Sequence, residues 1–311
     1  MDTTLKKTDL TEVTADSKIK KSVGDRIADF LIYTFLTILA LSVFIPFYNM
    51  VLISFARYQD IVRTSFYIYP KAFDFQNYRM AVLYPNFMNA ALVSLFVTVV
   101  GTSLNMLITL LGSYTLSRKN MPFRKPIFYF IIFTMFFGAG LIPWYLVVRN
   151  LGLVNSVWAM IAPPMLNTFY LILMRNYFLS IPESLEESAK IDGANDIRIM
   201  FQIIVPVAAP IIATIALFYA VDRWNEWWLA MLFIQDSSKL PLQLILRRMV
   251  VDATIDLGND MMNAMRDANI QVHSRSLQMA TVTITTIPIM IVYPFLQKYF
   301  TKGIMLGAIK A

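Results

Sequence analysis

Six stretches of this chain contain no Asp, Glu, Lys or Arg over a length that can cross a lipid bilayer. They are residues 30–56, 80–117, 126–148, 150–174, 199–221 and 276–297. A spanning helix needs about 20 mostly apolar residues, because each residue rises about 1.5 Å across about 30 Å of hydrocarbon. The composition agrees. Hydrophobic residues make up 57% of the 311 residues and charged residues 15%, against about 45–50% and about 25% in a soluble domain. Strict apolar/polar alternation is absent, which argues against a β-barrel. The fold class expected is an all-α integral membrane protein. Its six transmembrane helices are predicted at about 27–54, 89–116, 125–148, 156–178, 206–234 and 276–297. They are joined to a polar arm (1–26), outer loops (55–88 and 235–275), an inner loop (179–205) and a tail (301–311).

The N-terminal segment does not read as a cleavable signal. The apolar run that follows it is too long for a signal-peptide core, and no small-residue cleavage site closes it. Orientation follows from the Lys and Arg in the loops. With the N-terminus inside, the inner segments hold 16 basic residues and the longer outer segments hold ten. This favours an N-in, C-in arrangement and accounts for most of the net charge of +7 without a nucleic-acid partner. The absence of cysteine excludes disulfides, Cys-ligated zinc and iron–sulfur clusters. The single histidine, His273, rules out a multi-histidine metal site and reads as a loop residue.

The most informative segment is the inner loop before the fifth span, Ser180 to Pro210. Ser180 and Glu183 have capping-box spacing, with Pro182 in the first turn. A short helix is predicted from about Ile181 to Ile191. Gly193 suits a helix-ending position with positive φ, and Asn195 or Asp196 should cap a second short helix. Pro206 and Pro210 mark the start of the fifth span. Local physics alone is satisfied by an amphipathic linker.

The residue pattern goes further. Glu187-Ser188-Ala189, three residues, Gly193, nine residues and Ile203-x-Val205-Pro206 resemble the EAA signature of ABC-importer permeases. The family pattern is Glu-Ala-Ala, three residues, Gly, nine residues, Ile-x-Leu-Pro. Ser188 and Val205 are the departures. Asp192-Gly193-Ala194 is similar to the form common in the sugar-importer branch. The segment from Pro70 to Asn77-Tyr78, Trp224-Asn225-Glu226 in span five and the ending from Gln297 to Ala311 also resemble the six-span, maltose-type subunit. The likeness is greatest to the branch that takes up oligosaccharides and polysaccharide fragments.

That resemblance implies a type I permease whose loop helix docks in a cleft of an ATPase. Glu187, Ser188, Ala189, Asp192, Gly193 and Ala194 would form the docking element. Small Ser188 and Ala189 would let it approach a groove, and Glu187 would accept charge-assisted hydrogen bonds from a basic partner. The implied partners are a second homologous permease (a heterodimer), two ABC ATPases, an extracytoplasmic solute-binding lipoprotein, an oligosaccharide and the plasma membrane of a bacterium. No cofactor is expected on this chain. It has ten glycines but no G-x-x-x-x-G-K-[ST], so ATP and magnesium are expected on the partner ATPase, and the chain is not expected to be an enzyme.

Span five also carries Asp222, Arg223, Trp224, Asn225, Glu226, Trp227 and Trp228. Ionisable residues at depth usually face a polar interior. On a continuous helix Asp222, Asn225 and Glu226 share one face, and Trp224 and Trp228 another. Carboxylates and amides that accept sugar hydroxyls, beside stacking indoles, suit a carbohydrate path. Structural ion pairs to other helices with an interfacial aromatic belt fit equally well. In the last outer loop, Asp256-x-Gly258-Asn259-Asp260 does not match EF-hand spacing, and no metal site is expected. The alternatives are a permease of the same superfamily for a non-sugar solute and an ion-coupled secondary transporter, which would use inverted repeats and have no use for the docking loop.

Overall fold

The computed structural model describes residues 22–63, 67, 69, 72–251 and 274–308. His273 and the Asp256–Asp260 motif fall outside these residues, as do residues 1–21 of the N-terminal arm and the last three of the tail. The chain divides into two compact units, residues 1–49 and 50–311. Among the described residues the fold is helical, in chain order α1 (Val23–Ser54), α2 (Tyr58–Arg63), α3 (Gln76–Leu83), α4 (Phe87–Ser117), α5 (Arg124–Phe136), α6 (Leu141–Asn150), α7 (Thr168–Ser180), α8 (Ser184–Ile191), α9 (Asp196–Ile199), α10 (Val205–Val207), α11 (Ala209–Trp224), α12 (Trp228–Phe233), α13 (Leu242–Val251) and α14 (Ser274–Ala308).

In the first unit, α1 exposes large apolar side chains such as Phe30, Leu31, Tyr33 and Phe35 on every side. Such a surface requires an apolar solvent. In the second unit α4 is the central element. Ala90, Ser94, Val97, Gly101, Asn105, Thr109 and Ser113 form one buried stripe along it. Small and hydroxylated residues allow close helix approach and interhelical hydrogen bonds. Ser94 Oγ accepts from the Leu242 N–H (2.8 Å), Thr109 and Tyr219 share a hydroxyl–hydroxyl bond (2.7 Å), and Ser113 Oγ donates to the Leu171 carbonyl (2.9 Å). One apolar core gathers Phe87, Val97, Ile161, Phe233 and Leu244. Another gathers Tyr114, Phe178, Ile199, Ile204, Ile215 and Tyr219.

The described spans are less regular than the uninterrupted apolar runs suggest. Three helices are continuous, long and apolar enough to cross a membrane: α1, α4 and, within α14, Arg275–Pro294. Two bent pairs bring the total to five if each pair is one span. The third expected span, 125–148, is α5 and α6 bent by 115°. The bend lies at Gly138 and Gly140, and Gly140 has φ +83°, a conformation that glycine tolerates and β-carbon-bearing residues rarely adopt. The fourth, 156–178, is a 3₁₀ turn at Val157–Met160, then irregular chain through Pro163 and Pro164, then the 13 residues of α7. The fifth, 206–234, ends its main helix at Trp224 and restarts at Trp228. Before it, residues 200–204 adopt π-helical geometry, and an 85° bend separates the Asp196–Val207 stretch from α11. Pro206 and Pro210 cannot donate backbone hydrogen bonds, and their rings crowd the preceding turn, which accounts for the break. The sixth is longer than 276–297, since α14 continues to Ala308.

The Asn77-Tyr78 segment anchors α3 to the end of α1. Buried Asn77 donates to the carbonyls of Ser54 and Ala56 (2.9 and 3.0 Å), and the Tyr78 hydroxyl meets Ser54 Oγ at 2.6 Å.

Candidate functional site

The loop before α11 folds as two short helices joined by a tight turn. At the end of α8, the Gly193 N–H donates to Lys190 O (3.0 Å) and the Ala194 N–H to Ala189 O (2.9 Å). Gly193 has φ +80°. This is the Schellman arrangement, in which a left-handed residue lets the chain satisfy the helix's last carbonyls. Asn195 then caps α9, its side chain accepting from the Arg198 N–H at 2.8 Å. Lys190 and Asp196 lie 3.6 Å apart across the turn.

The start of α8 differs from the sequence expectation. Ser180 is the last residue of α7, where its hydroxyl donates to Tyr177 O (2.7 Å), so it caps nothing downstream. Glu183 precedes α8 without a side-chain cap bond and pairs with Lys119 at 2.7 Å. Glu186 pairs with Arg118, whose guanidinium also lies over the Tyr114 ring. Burial pushes the Arg118 pKa down, opposed by Tyr114 and Glu183. Two ion pairs therefore clamp α8 to the connection between α4 and α5.

Within the predicted docking element, Ala189 turns inward, 7% exposed, onto the core that includes Tyr114, Phe178 and Ile199. It seats α8 on this chain. Ala194 is half-buried against the same core. Glu187, Ser188, Asp192 and Gly193 are exposed. The structure adds three apolar residues that the motif does not mark, namely Leu185, Ile191 (87% exposed) and Ile197 (71%). Their signal was present in the sequence as isolated apolar residues among charges, but a helical projection alone does not distinguish an inward from an outward face on so short a helix.

The 222–228 cluster is rearranged by the break between α11 and α12. Asn225 is the C-cap of α11, and its amide donates to Val221 O (2.9 Å). Glu226 lies beyond the helix and accepts from the Leu229 N–H (2.9 Å), capping α12. Asp222, Asn225 and Glu226 thus do not share one helical face, and neither do Trp224 and Trp228. Exposed Asp222 accepts from the Tyr170 hydroxyl (2.9 Å). Arg223 is buried and donates to the carbonyls of Met160 (2.8 Å) and Pro164 (2.7 Å). It satisfies the irregular chain before α7 rather than a carboxylate. Trp224 Nε1 donates to Thr285 O in α14 (3.0 Å). Trp227 meets Trp228 edge-on at 5.7 Å, and the Arg247 guanidinium lies 4.3 Å from the Trp227 ring centre. Within the segment Asp222, Asn225 and Trp228 are exposed, while Trp227 and Arg247 are half-buried.

Beside this segment Asn155, with φ +58°, accepts from the N–H groups of Gln235 and Asp236 (3.2 and 2.9 Å). The Ser238 hydroxyl and N–H hold the Asp236 carboxyl below its ordinary pKa. Among the described residues, no group of three or more His, Cys, Asp or Glu side chains could hold a metal ion.

The family model for the binding-protein-dependent transport system inner membrane component matches residues 14–306. The chain is 42% identical over 286 residues to the polygalacturonan/rhamnogalacturonan transport system permease protein YtcP of Bacillus subtilis (strain 168), covering 92% of this chain and 99% of that protein. It is 41% identical to protein LplC of the same organism, covering 86% and 89%. Its fold matches the crystal structure of a bacterial ABC transporter involved in the import of the acidic polysaccharide alginate. The TM-score is 0.84 at 32% identity, over 90% of this chain and 99% of that one. The loop signature, the helical fold and these likenesses agree: the chain belongs to the family of binding-protein-dependent transport system inner membrane components, the permeases of ABC importers.

Proposed function

We propose that this chain is one of two permease subunits of an ATP-driven importer, that it crosses the plasma membrane of a bacterium six times with both termini inside, and that it passes oligosaccharides delivered by an extracytoplasmic binding protein. The substrates named for its relatives, polygalacturonan/rhamnogalacturonan and alginate, support fragments of acidic polysaccharides as the class carried. ATP and magnesium belong to two partner ATPases, and the second permease is a homologue of this chain. A non-sugar solute or ion coupling has no comparable support.

The observation that carries this reading is the clamped helix pair α8–α9. Two ion pairs and Ala189 hold it on this chain, and its outward surface combines Glu187, Ser188 and Asp192 with uncovered Leu185, Ile191 and Ile197. An apolar, acid-flanked knob on a rigid seat suits a groove with basic walls. Motion of the ATPases would reach the bundle through α9, the π-helical stretch and α11, which are continuous in sequence. Asp222, Trp224, Asn225, Glu226, Trp227 and Trp228 remain the proposed path segment. Asp222, Trp227 and Trp228 would be the sugar-contacting members, and Trp224, Asn225 and Glu226 would fix the helix break.

The test is reconstitution with the partner subunits. Gly193→Pro loses the Gly193 N–H bond and cannot take φ +80°, because proline fixes φ near −65°. Glu187→Arg places a cation against a basic groove. Both variants should lose ATPase co-purification and ATP-dependent uptake while the permease still inserts in the membrane. Normal association and uptake in both would refute the docking role.

A further inference from the structure

A second site lies next to the clamp, where the connection after α4 turns into α5. A cavity of about 530 Å³ is lined by Lys119, Arg124, Lys125 and Arg175 together with Phe128 and Tyr129, and no acid is among its lining residues. Its electrostatics are unusual in three independent ways. Arg124 and Lys125 occupy the first turn of α5, where the helix dipole disfavours cations. The residue before them, Phe123, has φ +54°, and no side chain caps the N-terminal N–H groups of α5. Arg175, on α7, is nine-tenths buried. It donates to Leu116 O (3.0 Å) and Asn176 Oδ1 (3.4 Å) and lies over the Phe128 ring, 4.1 Å from its centre, with no carboxylate paired to it. Among the described residues only Lys119 of the four cations has an acidic partner, Glu183. A built cavity holding three uncompensated cations and a helix N-terminus is matched by an anion with several acceptor oxygens.

The surroundings identify the anion's carrier. Phe123 (77% exposed) at the start of α5 and Tyr129, Phe130 and Phe133 further along it present apolar surface. A phosphate that enters here therefore has hydrocarbon-seeking side chains beside it. We propose that this cavity binds the phosphate headgroup of an anionic phospholipid of the inner leaflet, with its acyl chains along the aromatic flank of α5. Basic pockets between spanning helices on the cytoplasmic side take such headgroups. The proposal rests on the orientation given above, which puts the α4–α5 connection inside.

The experiment uses the whole transporter complex in nanodiscs of phosphatidylcholine, with and without phosphatidylglycerol, and reads retained lipid by native mass spectrometry. The wild type should retain phosphatidylglycerol and exchange phosphatidylcholine freely. Arg124→Gln/Lys125→Gln should weaken phosphatidylglycerol retention about thirtyfold, roughly fivefold for each cation near the headgroup. Arg57→Gln/Arg149→Gln removes the same charge from exposed positions outside the cavity and should leave retention unchanged. Equal retention in all three proteins would overturn the site. Displacement of the lipid by millimolar inorganic phosphate would show a free-anion site and overturn the lipid assignment. Retention is read without substrate or ATP, so a wrong transport assignment would leave this result standing.

Discussion

Gly101 shows how one missing side chain sets the position of another. A β-carbon there would lie 2.9 Å from Arg223 Cδ, closer than van der Waals contact permits, so the guanidinium reaches Met160 O and Pro164 O only because α4 is bare at that point. Gly101→Val should displace Arg223, leaving the Met160 carbonyl without that donor and the Pro164 carbonyl with the Asn105 amide alone (2.9 Å). The loss expected is about 1–3 kcal/mol of stability, read as a lower unfolding temperature of the purified protein in detergent. An unchanged unfolding temperature would mean that Arg223 has another resting place. Residues whose role is set by adjacent backbone were legible in the sequence: Gly193 and Asn195 adopt the turn and cap their spacing implied. Residues whose role is set across the fold were not. Ser180 and Glu183 have the spacing of a capping box, yet α7 extends through Ser180, and the Lys119 ammonium takes Glu183. Arg223 pairs with carbonyls 63 and 59 positions away, which no local pattern encodes.

At the scale of elements, α8 is too short to be stable by itself in water, and its geometry depends on its clamp. Glu186→Lys sets two cations against each other and should loosen α8, lowering ATPase stimulation severalfold. Adding Arg118→Glu restores opposite charges in reversed order and should recover most of the loss, with a coupling on the order of 1 kcal/mol or more for a pair at this burial. The check is substrate-stimulated ATPase activity of wild type, both single variants and the double. Additive losses would show that the pair does not hold α8. The element boundaries also explain where hydropathy alone misleads. An uncharged run reports that a segment tolerates lipid, but not that it is one helix. Gly138 and Gly140 bend the third run, Pro163 and Pro164 interrupt the fourth, and Pro206 and Pro210 break the start of the fifth. All of these residues are visible in the sequence, but their apolar neighbours hide them from a count of charges. The break at residues 225–227 has no such signal, and it is what separates Asp222 from Glu226.

For the whole molecule, α4 supplies the measuring rod. At about 1.5 Å per residue its 31 residues extend about 46 Å, more than the hydrocarbon thickness of about 30 Å. Near its N-terminal end, the Asn86 amide donates to Ser237 Oγ (3.3 Å), and Asn155 joins the 233–236 chain. At its C-terminal end, Arg118 and Lys119 hold α8. Six spans would put residues near 150 and 235 toward one membrane face and residues near 120 toward the other, whichever face is inside. The absence of cysteine makes this directly measurable, because any introduced thiol is unique. Asn120→Cys, Asn150→Cys and Gln235→Cys each replace an exposed residue. With a membrane-impermeant maleimide on intact cells, Asn150→Cys and Gln235→Cys should react and Asn120→Cys should not, and all three should react once the membrane is opened. The reverse pattern would invert the orientation and move the coupling loop outside, which is incompatible with a cytoplasmic ATPase. Protection of Asn120→Cys and Asn150→Cys together would mean that α5 and α6, bent by 115°, dip into the membrane and return. The chain would then cross an even number of times between residues 120 and 150, and the six-span count would fail at that pair.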